Sequence, residues 1–369
     1  MENHNREATK KGAWMVHYST RKKEFCYLRS IATIAIVVLH TFYALALSNE
    51  HSGVRTVTVL NQIVNTQMWA VPVFLMVTGS LLLPAEKEIT YRNLFLKKIL
   101  RIILAILIFT GVYEAVDILI FNQPQEKSFI LDWLYKVYTG TTWSPMWYMY
   151  MLIGIYFLLP AYKAVIKTFG DKEIIYLLAI YTVFMSILPL VSVAFVKSGF
   201  YIHQLTIYPF YLFAGYALNR ELIKIKLWIS ISMFLGVAGI IEILTYLRWC
   251  EGMERLDALW GYSSPLIILQ SIAMFAIVKS ILGYGKDKKE ETNKRKFLDS
   301  LIIKFDNCSF GIYLVHIIFV KILVQKNGAF LSKYIGIVGS GFVIVLIATC
   351  ISYISVELLK KIKPVNALL

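Results

Sequence analysis

Arg29 and His40 are the first residues whose types and spacing suggest chemistry. Both lie in Lys22-Lys-Glu-Phe-Cys-Tyr-Leu-Arg-Ser-Ile-Ala-Thr-Ile-Ala-Ile-Val-Val-Leu-His-Thr-Phe42. The stretch has the length and polarity of a membrane-spanning helix. A spacing of eleven residues is about three helical turns plus roughly 20°, so the two side chains share a face. They stand roughly 16 Å apart along the axis, about half a bilayer core. A cation at the mouth and a titratable imidazole near the midplane are costly in hydrocarbon, which marks them as a functional pair. An imidazole can take and return a proton near neutral pH. The bland alternatives are an inter-helix hydrogen bond for His40 and a snorkelling anchor for Arg29.

Other groups extend this polar set. Lys97, Lys98 and Arg101 open the third apolar run, and Lys98 and Arg101 share a face at i, i+3, fit to grip a phosphate. Ordinary positive-inside charge explains them equally well. In Ser309-Phe-Gly-Ile-Tyr-Leu-Val-His316, helical spacing brings Ser309, Tyr313 and His316 into one polar stripe, serving either a site or inter-helix bonding. Glu114 and Asp117 on the third run and Glu242 on the seventh lie toward the outer side. A carboxylate there suits a sugar hydroxyl or the orientation of a histidine. The chain has no P-loop, no H-E-x-x-H motif and no G-x-S-x-G elbow. The four cysteines (Cys26, Cys250, Cys308 and Cys350) are scattered, implying neither a disulfide framework nor a metal site.

The elements that must position these groups are helices in a membrane. Hydrophobic residues make up 58% of the 369, above the roughly half expected of soluble chains. The expected fold is all-α, one bundle of about ten transmembrane helices. The spans fall near 25–47, 66–84, 96–121, 145–166, 173–195, 201–219, 226–247, 262–283, 305–325 and 334–357. Pro72, Pro84, Pro160, Gly199 and Gly261 read as breaks between them. A polar segment, residues 1–24, precedes a single membrane domain at 25–361 and a tail at 362–369; residues 1–24 have no signal-peptide core, so the first span serves as an uncleaved signal anchor.

The net charge of +15 suggests nucleic acid until its placement is considered. Of the 38 Lys and Arg, 29 fall in alternate loops on one side, which puts both termini in the cytoplasm and leaves no nucleic-acid role. The aromatic segment Phe129–Tyr138 is too short to span and belongs at the outer interface, or over a cavity there. The charge run at 285–296 reads as a solvated topology determinant.

These residues together resemble the integral-membrane acyltransferase family 3. Tyr27-Leu-Arg-Ser-Ile-Ala-Thr-Ile-Ala-Ile-Val-Val-Leu-His40 is similar to its hallmark Arg and His separated by ten residues. Val71-Pro-Val-Phe-Leu-Met-Val-Thr-Gly-Ser-Leu81 resembles its Pro-Phe…Gly segment. Met146-Trp-Tyr-Met-Tyr-Met-Leu-Ile-Gly-Ile-Tyr156 with Pro160 resembles its Trp-Tyr span, which brings in Trp147. Ser309 to His316 resembles its late Gly-x-Tyr-Leu-x-His stretch. The departure is Lys98-Ile-Leu-Arg101, where the family often has Arg-x-x-Arg; lysine keeps the charge and loses the bidentate fork.

The resemblance implies transfer of an acyl group, commonly acetyl, from cytoplasmic acyl-CoA to a hydroxyl of an envelope carbohydrate or lipid-linked sugar. Acetyl-CoA enters as donor substrate, and no bound cofactor or metal is implied. On this reading Arg29, Lys97, Lys98 and Arg101 hold the CoA phosphates, and His40 with Arg29 forms the catalytic pair. Glu114, Asp117, Trp147, Tyr313 and His316 support the site or the acceptor. The expected location is a bacterial plasma membrane, which the Lys- and Ile-rich composition suits. Two other classes fit intramembrane His, Glu and Arg groups: a polysaccharide or lipid-linked-precursor transporter, and a non-catalytic envelope assembly partner.

Overall fold

A computed structural model describes residues 22–124, 128–194, 206–283 and 293–369. Most of the polar N-terminal segment, residues 125–127 ahead of the aromatic segment, the junction of the fifth and sixth expected spans and most of the 285–296 charge run lie outside the described residues. Everything described is helical or connecting; no strand occurs among the described residues. The first three helices are α1 (Lys23–Ser48), α2 (Val54–Asn65) and α3 (Ala70–Leu82). A π-helical turn at Leu94–Ile99 leads into α4 (Leu100–Leu119), and α5 (Phe129–Thr139) follows. Next come α6 (Trp147–Thr168), α7 (Asp171–Thr182), α8 (Tyr208–Asn219), α9 (Leu227–Cys250) and α10 (Pro265–Gly283). The last two are α11 (Asn293–Leu359) and α12 (Lys363–Leu368).

α1 is the axis of the bundle. Of its most apolar window 61% is buried, against 17% for the peripheral α9. Its most extensive partner is α11, with α2 and α3 on other sides. Small side chains on α1, Ala32, Ala35 and Ser30, are almost fully enclosed, and Phe42 and Leu45 fill the spaces beyond them. In lipid, small residues let backbones approach, and dispersion contacts then hold the helices together.

Seven helices among the described residues are long and apolar enough to cross a membrane. That differs from the ten expected spans for physical reasons. The runs at 66–84 and 201–219 give only the 13 residues of α3 and the 12 of α8. Both are buried nearly all round, so protein rather than lipid surrounds their ends. The runs at 305–325 and 334–357 are two helical segments of α11 that meet at a kink at Gly336, where φ is 72° and ψ 163°, so the seven count that stretch once. That φ lies in the region glycine occupies without a Cβ penalty.

Two expected breaks are not breaks. Pro72 sits in the first turn of α3, where its missing N–H costs no helical bond. Pro160 lies inside α6, as membrane helices tolerate. Pro84 does follow the end of α3. α2 is an addition that periodicity reading passed over. It packs against α1 and α9, with Asn65 donating to Thr245 Oγ1 at 3.1 Å.

α3 and α8 cross at unusually close range. A Cβ at Gly79 would lie 2.0 Å from the Leu212 carbonyl oxygen, and one at Gly215 the same distance from that of Met76. Ser80 Oγ closes the crossing by donating to the Gly215 carbonyl at 2.8 Å. This rigid pair backs the wall from which Phe74 and Thr78 face the site.

Candidate functional site

The site has two parts inside the bundle: a basic cavity, and a histidine pair that does not line the cavity and lies behind its wall residue Tyr313. The cavity encloses about 1640 Å³ and is lined from α1, α3, α4, the π-helical turn, α6, α11 and the C-terminal segment. Its lining includes the cations Lys22, Lys97, Lys98, Arg101, Lys304 and Lys361 and the polar groups of Thr78, Tyr148, Ser309 and Tyr313. The Lys97 and Lys98 side chains leave the helix from its π turn, a local widening often found at functional sites. The expected i, i+3 pairing of Lys98 and Arg101 is therefore not a simple α-helical one, yet both reach the cavity. Lys98 lies over the Tyr156 ring at 5.5 Å, and Arg101 over that of Phe310 at 4.8 Å.

Arg101 is also tied to the end of the chain. Its Nε donates to the Leu368 carbonyl and one terminal nitrogen to that of Leu369, each at 2.7 Å. α12 thus turns back into the basic mouth, burying Leu368 and Leu369.

Arg29 lines the same cavity and is gripped from below. Its Nε and one terminal nitrogen donate to the two Asp306 oxygens at 2.7 and 2.6 Å. The Asp306 side chain is 1% exposed and that of Arg29 23%, so the fork is held from the buried side. From sequence, Arg29 fits either a snorkelling anchor or a phosphate contact; the structure adds an acid that holds it. Asp306 sits within the ninth apolar run, where an acid is a site signal by itself. Asp306 is a residue that sequence reasoning passes over.

His40 sits deeper, where α1 meets α11. Its Nδ1 is 2.9 Å from His316 Nε2, and the rings stack with centroids 5.1 Å apart. His316 is fully buried, and its Nδ1 reaches the Ile312 carbonyl at 3.0 Å. Side chains on a helix lean toward its N-terminus, so an i−4 carbonyl is a natural partner. Tyr313 joins the two parts: it lines the cavity, its ring centre lies 6.0 Å from that of His316, and its hydroxyl donates to the Pro145 carbonyl.

The outer carboxylates are placed elsewhere. Glu114 pairs with Lys136 of α5, and Asp117 with Lys321 of α11 at 2.5 Å. Asp117 also accepts from the Trp143 indole at 2.7 Å, and Tyr113 stacks on Trp143 at 4.6 Å. Burial opposes the Lys136 charge, but hydrogen bonds to Asp132 and Glu114 outweigh it and raise its pKa. Neither carboxylate touches a histidine ring among the described residues; a second histidine orients His40 instead. The backbone carbonyl of Glu242, not a site group, is what Gln62 bonds. Trp147 stacks on Tyr262 at 5.4 Å outside the cavity wall. Its neighbour Tyr148 is the wall residue. No group of three or more metal-ligating side chains occurs among the described residues.

A family model described as an acyltransferase domain matches residues 23–356, from the start of α1 to near the end of α11. No curated protein and no solved structure matches the chain.

Proposed function

The chain belongs to the acyltransferase family, and from that premise we propose how its site is used. Membership makes it a membrane O-acyltransferase. The donor in our reading is acyl-CoA, acetyl in the first instance, entering from the cytoplasm. The acceptor is a hydroxyl of an envelope carbohydrate or a lipid-linked sugar. The membrane would then be a bacterial plasma membrane.

One observation supports this reading: a polyanion-sized basic cavity has Tyr313 in its lining, and the Tyr313 ring centre is 6.0 Å from that of His316, which bonds His40. At about 1640 Å³ it exceeds the roughly 300–1,000 Å³ that suits drug-sized ligands. Lys97, Lys98 and Lys361 offer charge to phosphates, and the Asp306-held fork of Arg29 offers its remaining edge. The pantetheine arm then lies along Thr78, Tyr148 and Ser309 toward the imidazoles. An axial reach of roughly 16 Å from Arg29 to His40 suits that arm.

For the transfer, the His40 imidazole takes the proton of the acceptor hydroxyl as its oxygen attacks the thioester carbonyl carbon. The C–S bond breaks, and the leaving thiolate recovers the proton, so one ester and one thiol replace one alcohol and one thioester. If His40 carries the acyl group, its nitrogen attacks the thioester carbon and the C–S bond breaks to release the thiolate. The hydroxyl oxygen then attacks the acyl-imidazole, the C–N bond breaks, and the hydroxyl proton ends on the thiolate, which regenerates the imidazole.

The test is base-labile acetate on purified envelope polymers from cells lacking the protein and cells complemented with wild type or His40→Ala. Ester lost on deletion and restored only by wild type supports the reading and identifies the acceptor. Full restoration by His40→Ala refutes the role of His40.

A further inference from the structure

The hydrogen bonds around the histidine pair assign a proton to each ring. A carbonyl oxygen only accepts, so His316 Nδ1, 3.0 Å from the Ile312 carbonyl, must carry a hydrogen. Both rings are enclosed in an apolar bundle with no carboxylate bonded to either among the described residues, which favours neutral imidazoles. A neutral imidazole has one N–H, so His316 Nε2 bears a lone pair. That lone pair faces His40 Nδ1 at 2.9 Å, and His40 Nδ1 must therefore be the donor. The remaining nitrogen of His40, Nε2, is left with its lone pair. The opposite assignment sets two lone pairs against each other at His316 Nδ1.

We propose that His316 is a positioning residue that fixes the His40 tautomer, so that His40 Nε2 is the nitrogen that takes the hydroxyl proton or the acyl group. This rests on the acyltransferase reading of His40. When Nε2 takes the proton, His40 becomes an imidazolium whose Nδ1–H still points at the neutral Nε2 of His316. The bond becomes charge-assisted, so it strengthens when positive charge develops on His40. Proton return to the leaving thiolate restores both neutral rings. Burial makes the arrangement rigid: His316 is 0% exposed, and the Tyr313 hydroxyl is already committed to the Pro145 carbonyl.

The experiment uses the full chain in lipid nanodiscs with ¹⁵N-labelled histidine, the His40 signal being the one lost in His40→Ala. Expected for wild type is a His40 protonated on Nδ1 and bare on Nε2. His316→Ala should give a mixture of tautomers and a kcat for acyl transfer lowered by roughly 10²–10⁴-fold, with KM for acyl-CoA changed less than about twofold. His316→Gln, whose Oε1 accepts the same hydrogen, should regain at least about tenfold of that loss. A wild-type His40 protonated on Nε2 overturns the proposal, as does equal impairment by Ala and Gln. Should His316→Ala fail to fold, the wild-type spectrum and the Gln variant decide. Retention of activity by His40→Ala instead refutes the acyltransferase role of His40, and the tautomer measurement stands apart from it.

Discussion

At the scale of residues, the Arg29–Asp306 pair explains how a cation is kept at the edge of an apolar bundle without collapsing onto lipid. Asp306 is the buried partner, so removing the guanidinium takes a bidentate cation away from a buried carboxylate. Breaking a buried pair costs about 3–5 kcal/mol, whereas replacing both charges is often neutral. Arg29→Met should therefore lower the thermal midpoint in a fixed detergent, and Arg29→Met with Asp306→Asn should recover most of the loss while transfer stays impaired. A double variant no more stable than the single one sinks this account of Asp306. Half of this pair was legible in the sequence. Arg29 and His40 share a helical face whose period is fixed, so their relation follows from spacing alone. Asp306 and His316 lie 277 and 276 residues away from their partners, and no local pattern says which helices pack. For the same reason spacing alone leaves the carboxylates Glu114 and Asp117 open to a sugar hydroxyl or a histidine, and the structure pairs them with Lys136 and Lys321.

At the scale of elements, the α3–α8 crossing decides whether the cavity wall is built at all. The apolar runs behind both helices were legible, but their shortness was not, because hydropathy does not distinguish lipid from protein as the surrounding medium. The close approach is the physical reason these short helices hold their place. A methyl at position 79 would sit 2.0 Å from a backbone oxygen, and backbone cannot swing aside like a side chain. Gly79→Ala or Gly215→Ala should cost at least about 1–3 kcal/mol, visible as a lowered midpoint at constant scan rate. Gly154→Ala in α6, where nothing lies within 4 Å of the added Cβ, should be neutral or stabilising by up to about 1 kcal/mol, since alanine is the better helix former. Equal behaviour of positions 79 and 154 would mean that the crossing yields freely.

At the scale of the whole molecule, charge is divided between two ends of the bundle. At one end Glu114 and Asp117 each have a lysine. The cavity instead gathers eight cationic side chains against two carboxylates among the described residues, and one of those carboxylates, Asp306, is held by Arg29. Such an imbalance behind low-dielectric walls focuses a positive field on the mouth, which raises the local concentration of any polyanion, the proposed donor included. The field is sensitive to salt, because the Debye length falls from about 10 Å at 0.1 M to about 3 Å at 1 M. The KM for acyl-CoA should accordingly rise with ionic strength while kcat holds. An acyl-pantetheine donor without phosphates should show no such rise. Lys97→Ala combined with Lys361→Ala should flatten the response to acyl-CoA, since both residues line the mouth. A salt response equal for the two donors would place the effect outside the cavity, and with it the case for phosphate recognition at this mouth would fall.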